Sequence, residues 1–316
     1  MENDLSEVAD GIWRATFALP LGIDHVHCYL LRTGSGGWTI VDAGLGLPEA
    51  GERWRAVLER LGGRVERILV THFHPDHVGA AAPLAELTGA PVHQGEADYA
   101  QCLRAWGPGR SPQRFFEYMR QHGMPADHAE SMGAEGDRLS GWVHYAANPE
   151  RLVPGERVDG WEILHLPGHA DGHLAFLRDG VLIAGDALLA TISPNVGLYH
   201  DANPDPLGDY LHSLGRIAEL APRVAFAGHG PVIEDPPARA RELIAHHGER
   251  LEATGAALDG RPQTAYDVSL VLFPDPLPRG LRRFALAETR AHLEYLVLRD
   301  RAQRVAAGDV TAYAAA

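Results

Sequence analysis

The stretch His72-Phe73-His74-Pro75-Asp76-His77 puts four metal-ligating side chains into six positions. Neutral imidazole and carboxylate together suit zinc, iron or manganese. Four ligands from one short loop can hardly all reach a single ion, so the spacing points to two divalent cations. Three later segments repeat one layout, a ligand just past an apolar run and beside a glycine: Leu166-Pro167-Gly168-His169, Ile183-Ala184-Gly185-Asp186 and Phe226-Ala227-Gly228-His229. Glycine lets the backbone turn sharply and keeps a Cβ out of the ligand's way. One Gly-His or Gly-Asp pair is weak. Three of them, all downstream of the dense motif, are strong.

Each ligand needs a strand that ends where it stands. Residues 67–71 read as a strand, with the dense motif at its end and a helix over 78–87. Upstream, 11–19, 26–32 and 38–41 are strands, with a turn at 33–37. A helix over 48–61 carries Trp54, Val57, Leu58 and Leu61 on one face. A short strand at 91–93 follows. Strand signals return at 162–166, 174–177 and 181–184, with an Asp179-Gly180 hairpin turn between the last two. A helix over 205–220 and a strand over 224–227 complete the main part. Pro236-Pro237 marks a boundary, so the expected domains are 1–235 and 236–316. The second holds helices over 238–258 and 283–299, then two short β-prone pieces around Gly308-Asp309. Residues 96–150 differ from the rest. Tyr99, Trp106, Phe115, Phe116, Tyr118, Met119, Trp142 and Tyr145 stand among Gly and Pro breaks. This reads as an insertion of two or three short helices with its own small core, serving as a lid or pocket wall.

With 316 residues, 45% hydrophobic and 22% charged, the chain can build a large core. All 28 basic residues are Arg. The missing lysine rules out a Schiff-base lysine, a phosphate-loop lysine and a Ser–Lys nucleophile pair. Formal net charge is −14. Residues 1–235 hold 17 Arg against 32 acidic residues, and 236–316 hold 11 against 10. That acidic main part disfavours nucleic acid as a partner and favours a small-molecule substrate. Cys28 and Cys102 make neither a disulfide framework nor a thiolate zinc knuckle. Residues 1–7 are acidic without an apolar run, unlike a secretory signal, and no stretch has the length of a membrane span. A soluble cytoplasmic protein is expected.

Together with Val41-Asp42-Ala43-Gly44, the four ligand segments make the chain resemble the metallo-β-lactamase superfamily of metallohydrolases over about residues 10–235. The resemblance implies an α/β fold, a four-layer αββα sandwich with the site at one edge between the sheets. It implies that His72, His74 and His169 hold one metal, that Asp76, His77 and His229 hold the second, and that Asp186 bridges them. Asp42 would then orient the loop or a ligand imidazole. Residues 236–316 are similar to the small, mainly helical, winged-helix-like domain of one branch of the superfamily. There the segment packs beside the active site. Arg279, Arg282 and Arg283 near a helix start offer a nucleic-acid contact as the alternative, and a solvated face as the ordinary reading.

A paired-metal site supplies hydroxide at neutral pH and needs no side-chain nucleophile. Asp76 is the candidate for moving the proton to the leaving group, with Asp186 holding the pair. His173, four residues after His169, is expected to support a ligand. His27, Tyr199 and His200 are candidate substrate contacts. His74 stands where di-iron redox relatives tend to carry a carboxylate, which favours hydrolysis. Among hydrolases, the segment Ala187-Leu188-Leu189-Ala190-Thr191 departs from the glyoxalase II pattern. The lactonase pattern, with a Tyr close behind the bridging Asp, is not met either. The aromatic insertion points to a thioester, ester or lactone of a small-to-medium acyl compound. Endoribonuclease or phosphodiesterase activity is the alternative, and a non-catalytic metal-binding protein the remaining one.

Overall fold

A computed structural model describes residues 4–129, 138–258, 260–277 and 279–316. Part of the 96–150 insertion, 130–137, therefore lies outside the described residues. Among those described, seven strands form one sheet in chain order: β1 (Asp4–Ala9), β2 (Ile12–Ala18), β3 (His25–Arg32), β4 (Trp38–Val41), β5 (Val65–Leu69), β6 (Val92–Gly95) and β7 (Glu150–Leu152). Pairing is antiparallel from β1 to β4 and parallel from β4 to β7. Parallel neighbours need crossovers. Helix α1 (Ala50–Leu61) supplies the first, and α2 (Pro75–Val78) with α3 (Ala81–Thr88) the second.

A second sheet contains β8 (Arg157–Val158), β9 (Trp161–His165), β10 (Leu174–Arg178), β11 (Val181–Gly185) and β12 (Val224–Ala227), in the order β12-β11-β10-β9-β8. Its one parallel pair, β11 with β12, is bridged by α6 (Pro206–Leu220). The insertion contributes α4 (Glu96–Trp106) and α5 (Pro112–Gln121). The C-terminal part holds α7 (Pro236–Ala256), β13 (Gln263–Thr264), α8 (Ala265–Leu272), α9 (Arg279–Val297), β14 (Ala302–Ala307) and β15 (Val310–Ala315). Its three strands pair as β13-β15-β14.

The strands' twofold periodicity builds the layers. In the first sheet Cys28, Leu30, Ile40 and Ile68 face α1 and α3, where they join Trp54, Val57 and Leu84. Their chain neighbours Tyr29, Leu31, Val41 and Leu69 face the other way. There they meet Ile163, Phe176, Ile183 and Phe226 of the second sheet. That sheet sends Leu164, Ala175, Leu182 and Ala225 outward, onto Leu207, Tyr210 and Leu214 of α6. Alternate residues of both sheets are thus buried on opposite faces, giving helix, sheet, sheet and helix layers as expected.

Two sequence expectations change. The helix over 78–87 is split after Val78, because Gly79 packs against the backbone of Gly46 and Trp142, and Ala80 N–H donates to Gly44 O at 2.9 Å. Pro236 opens a helix: Asp235 accepts from Ala238 N–H at 2.9 Å, and proline fills the first turn, where no N–H partner is needed. The C-terminal residues Leu243, Leu251, Leu293, Leu296 and Tyr313 join the same apolar cluster as Leu182 and Leu214. Full burial of each Leu contributes about 1.5–3 kcal/mol. Among the described residues no helix is long and apolar enough to cross a membrane.

The shared cluster makes a testable statement. Leu293→Ala, at a fully buried position, is expected to cost about 2–5 kcal/mol. Urea unfolding should remain one cooperative transition by far-UV and near-UV signals, whereas two separate transitions would show that 236–316 folds on its own.

Candidate metal centre

The ligand segments converge because their strands end at one edge. Val41 and Leu69 pair in parallel, so Asp42 and the loop after β5 leave the first sheet side by side. Asp42 N–H donates to Leu69 O at 2.8 Å. Gly185 and Ala227 pair at the ends of β11 and β12, which brings Asp186 beside His229. His27 N–H donates to Gly228 O at 2.7 Å and joins the two sheet edges. A Cβ on Gly228 would overlap the Asp186 carboxylate and lie 2.6 Å from His77 Cε1, so only glycine fits. Gly185, at φ 50°, leaves no room either, with His173 Nε2 2.8 Å from where its Cβ would stand.

Three ligand groups form. His74 Nδ1 lies 3.0 Å from His72 Nε2 and 2.8 Å from His169 Nε2. His229 Nε2 lies 3.3 Å from Asp76 Oδ2 and 3.4 Å from Asp186 Oδ2. His77 Nε2 lies 3.5 Å from Asp186 Oδ1, and His169 Nε2 lies 3.6 Å from Asp186 Oδ2. Two ligands at about 2.1 Å from a tetrahedral ion are about 3.4 Å apart, and the observed separations cluster around that value.

The outer nitrogens fix which ring atoms face inward. His77 Nδ1–H donates to Asp42 Oδ2 at 2.8 Å, His169 Nδ1–H to Asn195 O at 2.8 Å, and His229 Nδ1–H to His25 O at 2.6 Å. These partners only accept, so each Nδ1 keeps its proton and Nε2 is the ring atom turned inward. Thr71 Oγ1–H donates to the Asp42 carboxylate, at 3.0 and 2.9 Å from its two oxygens. The same hydroxyl therefore accepts from His72 Nδ1–H at 3.0 Å. Asp42 also accepts from Thr71 N–H at 2.8 Å. It does so from a left-handed backbone, φ 64°, uncommon outside glycine and tolerated best by Asp and Asn.

Burial, aided by the neighbouring histidines, pushes His72 and His169 below the usual imidazole range and His74 down to about 3. Three neutral rings thus bring His72 Nε2, His74 Nδ1 and His169 Nε2 together, an arrangement a cation suits. Burial also opposes charge on His77 and His229. There Asp186 and Asp76, with Asp42 at His77, outweigh it, raising His77 well above the usual range and His229 to about 10. Asp76 is lowered to about 2 against its burial, by His77 and His229. His77 Nε2, His229 Nε2 and Asp186 Oδ1 are buried with no hydrogen-bond partner among the described residues. Such groups are costly unless paired or metal-bound, so the donor set fits two divalent cations.

His173 Nε2 accepts from Asp186 N–H at 3.0 Å and stacks on His72, with ring centroids 4.8 Å apart. His27 Nε2–H donates to Gly230 O at 2.9 Å and its Nδ1 lies 3.1 Å from Thr16 Oγ1, so both ring nitrogens have protein partners. Tyr199 and His200 stand apart from the cluster, at a separate cavity. Sequence reading missed four supports. Asp98 accepts from Phe73 N–H at 2.9 Å, and Trp106 Nε1–H donates to Phe73 O at 2.8 Å, so α4 clamps the ligand loop. His25 and Asn195 act through backbone carbonyls, which leave no sequence signal. Asn195 Nδ2 also donates to Glu288 Oε2 at 3.1 Å, tying its segment to α9.

Residues 21–229 match the family described as the metallo-beta-lactamase superfamily, and residues 251–316 the metallo-beta-lactamase-like C-terminal domain. The structure is similar to that of the metallo-beta-lactamase family protein TTHA1429 from Thermus thermophilus, with 39% identity and a TM-score of 0.86 over 98% of this chain and 100% of that one. A beta-lactamase domain protein from Burkholderia ambifaria is 31% identical, with a TM-score of 0.89 over 99% and 94%. Among curated proteins, the probable metallo-hydrolase YqjP of Bacillus subtilis is 28% identical over 88% of this chain and 89% of its own. Two further relatives carry activity names. A hydroxyacylglutathione hydrolase from Methylobacillus flagellatus is 28% identical over 71% and 73%, and an atrochrysone carboxyl ACP thioesterase from Passalora fulva is 22% identical over 78% and 63%.

Two outcomes follow from the ring chemistry. Below their raised pKa values, His77 and His229 carry a second ring proton that a cation at Nε2 must displace. Metal affinity should therefore rise with pH, up to about 10 for His229. Zinc titration calorimetry near neutral pH, in buffers of different ionisation enthalpy, should show proton release that His229→Ala reduces; an unchanged proton count would remove this account. Asp42→Ala should lower metal affinity about 10–100-fold in a chelator competition.

Proposed function

The chain belongs to the metallo-beta-lactamase superfamily and is a metal-dependent hydrolase; from that premise we propose that its substrate is a thioester, ester or lactone of a small-to-medium acyl compound. The observation that carries the metal-dependent mechanism is the convergence of three neutral imidazoles beside His77 Nε2, His229 Nε2 and Asp186 Oδ1, buried atoms that make no hydrogen bond and meet their charged neighbours only at ion-pair distance. In this reading His72, His74 and His169 hold one cation, Asp76, His77 and His229 the other, and Asp186 spans both. Zinc suits this N/O donor set, with iron and manganese as the alternatives.

Two bound divalent cations would lower the pKa of water and polarise the oxygen under attack. The chain's own groups do the rest. Asp42, through Thr71 and His77, keeps one ligand of each cation in its productive tautomer. Asp76 has the more exposed of the two ligating carboxylates, 14% against 7% for Asp186. Held ionised, its Oδ2 is suited to take a proton on the attacking side and deliver it to the leaving oxygen or sulfur. His173 holds Asp186 through its backbone N–H. No hydroxyl or thiol nucleophile is required.

The acyl substrate class draws support from the two relatives named as hydroxyacylglutathione hydrolase and thioesterase. The phosphodiester alternative is weakened by Arg282. Instead of facing solvent or a polyanion, its guanidinium is buried and donates to Ser269 O at 3.2 Å, Phe273 O at 2.8 Å and Asp275 Oδ1 at 2.6 Å. We read residues 236–316 as a winged-helix-like domain that packs on a catalytic domain of residues 1–235, in a cytoplasmic protein. Its helix–strand–helix–helix–strand–strand order supports that reading.

Metal analysis followed by a panel of thioester, lactone, cephalosporin, phosphodiester and RNA tests the proposal. A thioester, ester or lactone should be cleaved at least about tenfold faster than the phosphodiester, a barrier difference of about 1.4 kcal/mol; the reverse order would overturn the substrate class. Asp186→Asn should lose the paired metals and hydrolysis together, and unchanged metal content would contradict its bridging position.

A further inference from the structure

A cavity of about 300 Å³ opens away from the metal ligands, where three parts of the chain meet. His122 lines it just after α5, Tyr199 comes from the segment after β11, and Arg290, Glu294, Arg304 and Thr311 come from the C-terminal part. Two guanidinium groups there face one carboxylate. That carboxylate is already fully engaged. Arg304 Nε lies 3.0 and 2.9 Å from the two Glu294 oxygens, and Tyr313 O–H donates to Oε1 at 2.7 Å. Arg290 is less well served. It lies over the Tyr118 ring, 5.0 Å from the centroid, within reach of the Tyr118 and Tyr313 hydroxyls, and its Nε and Nη1 are buried without a well-formed hydrogen bond among the described residues.

An under-partnered guanidinium at a cavity is short of acceptors, and its planar, multi-donor shape matches an oxyanion. His122 adds no charge, since burial and the nearby Arg290 hold it down to about 3. Arg290 and Arg304 against Glu294 leave one surplus positive charge, with lining residue His200 set against Asp201 at 2.8 Å, on a chain of net charge −14. Leu198, Ala202 and Pro204 give the cavity an apolar side, and its size lies at the small end of organic-ligand pockets. We propose that this cavity binds a small organic oxyanion, a carboxylate or a phosphate, whose charged end rests on Arg290 and whose body rests on the segment 198–204.

The site shares no residue with the metal centre but is joined to it. Tyr118 O–H donates to Leu198 O, and Leu198 N–H donates to Ala287 O at 3.0 Å. Three residues earlier, Asn195 holds His169 through its carbonyl. An occupant would thus press on the segment that orients a metal ligand. The inference does not depend on which acyl compound the enzyme cleaves.

Titration calorimetry on the metal-loaded full chain, at constant ionic strength, tests it with benzoate and with inorganic phosphate. At least one anion should bind saturably, and which one separates a carboxylate from a phosphate site. Losing a charge-assisted contact in Arg290→Gln should weaken binding about tenfold or more. Thr311→Glu, on half-exposed β15, should weaken it by repulsion and serves where the Arg290 variant does not fold. Asp186→Asn should leave binding intact. Absence of saturable binding would mean a water-filled cleft and overturn the proposal, as would binding that survives both cavity variants or vanishes with Asp186→Asn, which would place the anion on the metals. Either failure leaves the hydrolysis panel untouched.

Discussion

Asp42 is the side chain on which the centre's geometry depends. It is 2% exposed, and its two oxygens take Thr71 N–H, Thr71 O–H and His77 Nδ1–H. Through the Thr71 hydroxyl it also sets His72. One carboxylate thereby fixes a ligand on each side of the centre, and it stands at the strand end that launches the ligand loop. A buried carboxylate is stable only when its lone pairs are used and opposite charge is near. Three donors meet the first need, and the His77 imidazole, its pKa raised well above the usual range, meets the second.

Three candidate ligands, His169, Asp186 and His229, were legible because each follows a glycine just past an apolar run, and the other four because they crowd into six positions after a strand. His72, His74, Asp76, His77, His169, Asp186 and His229 come together in three groups of potential ligands. The helix with an Asp-Pro start at 205–206 is legible to within one residue of its ends, whereas the sequence starts the one at 235–236 two residues late because its prolines read as a boundary. Less was legible where the partner is a backbone atom far along the chain. Nothing in the sequence marks Asn195 O or His25 O as the acceptors that set His169 and His229. Asp98 looks like any helical acid until Phe73 N–H is seen above it. His27, read as a scattered polar residue near the site, turned out to be a brace under the 228–230 turn.

The aromatic insertion divides into two structures with different tasks. Helix α4 holds the ligand loop through Asp98 and Trp106. Helix α5 builds a separate cluster in which Tyr118 and Met119 pack on Leu286 of α9. The C-terminal part reaches inward by the same route, since α9 holds Asn195 through Glu288. The centre is therefore supported from both sheets, from the insertion and from α9. Hydrophobic pattern alone marks each element but not which one touches the ligands.

The single apolar cluster running from the second sheet to Tyr313 bears on how the chain emerges from the ribosome. All seven candidate metal ligands precede α9 in the chain, yet the apolar cluster on the outer face of β9–β12 includes residues of α9 and β15 as well as α6. A nascent chain halted near residue 235 would display a strip of Leu and Ala, a surface prone to aggregation.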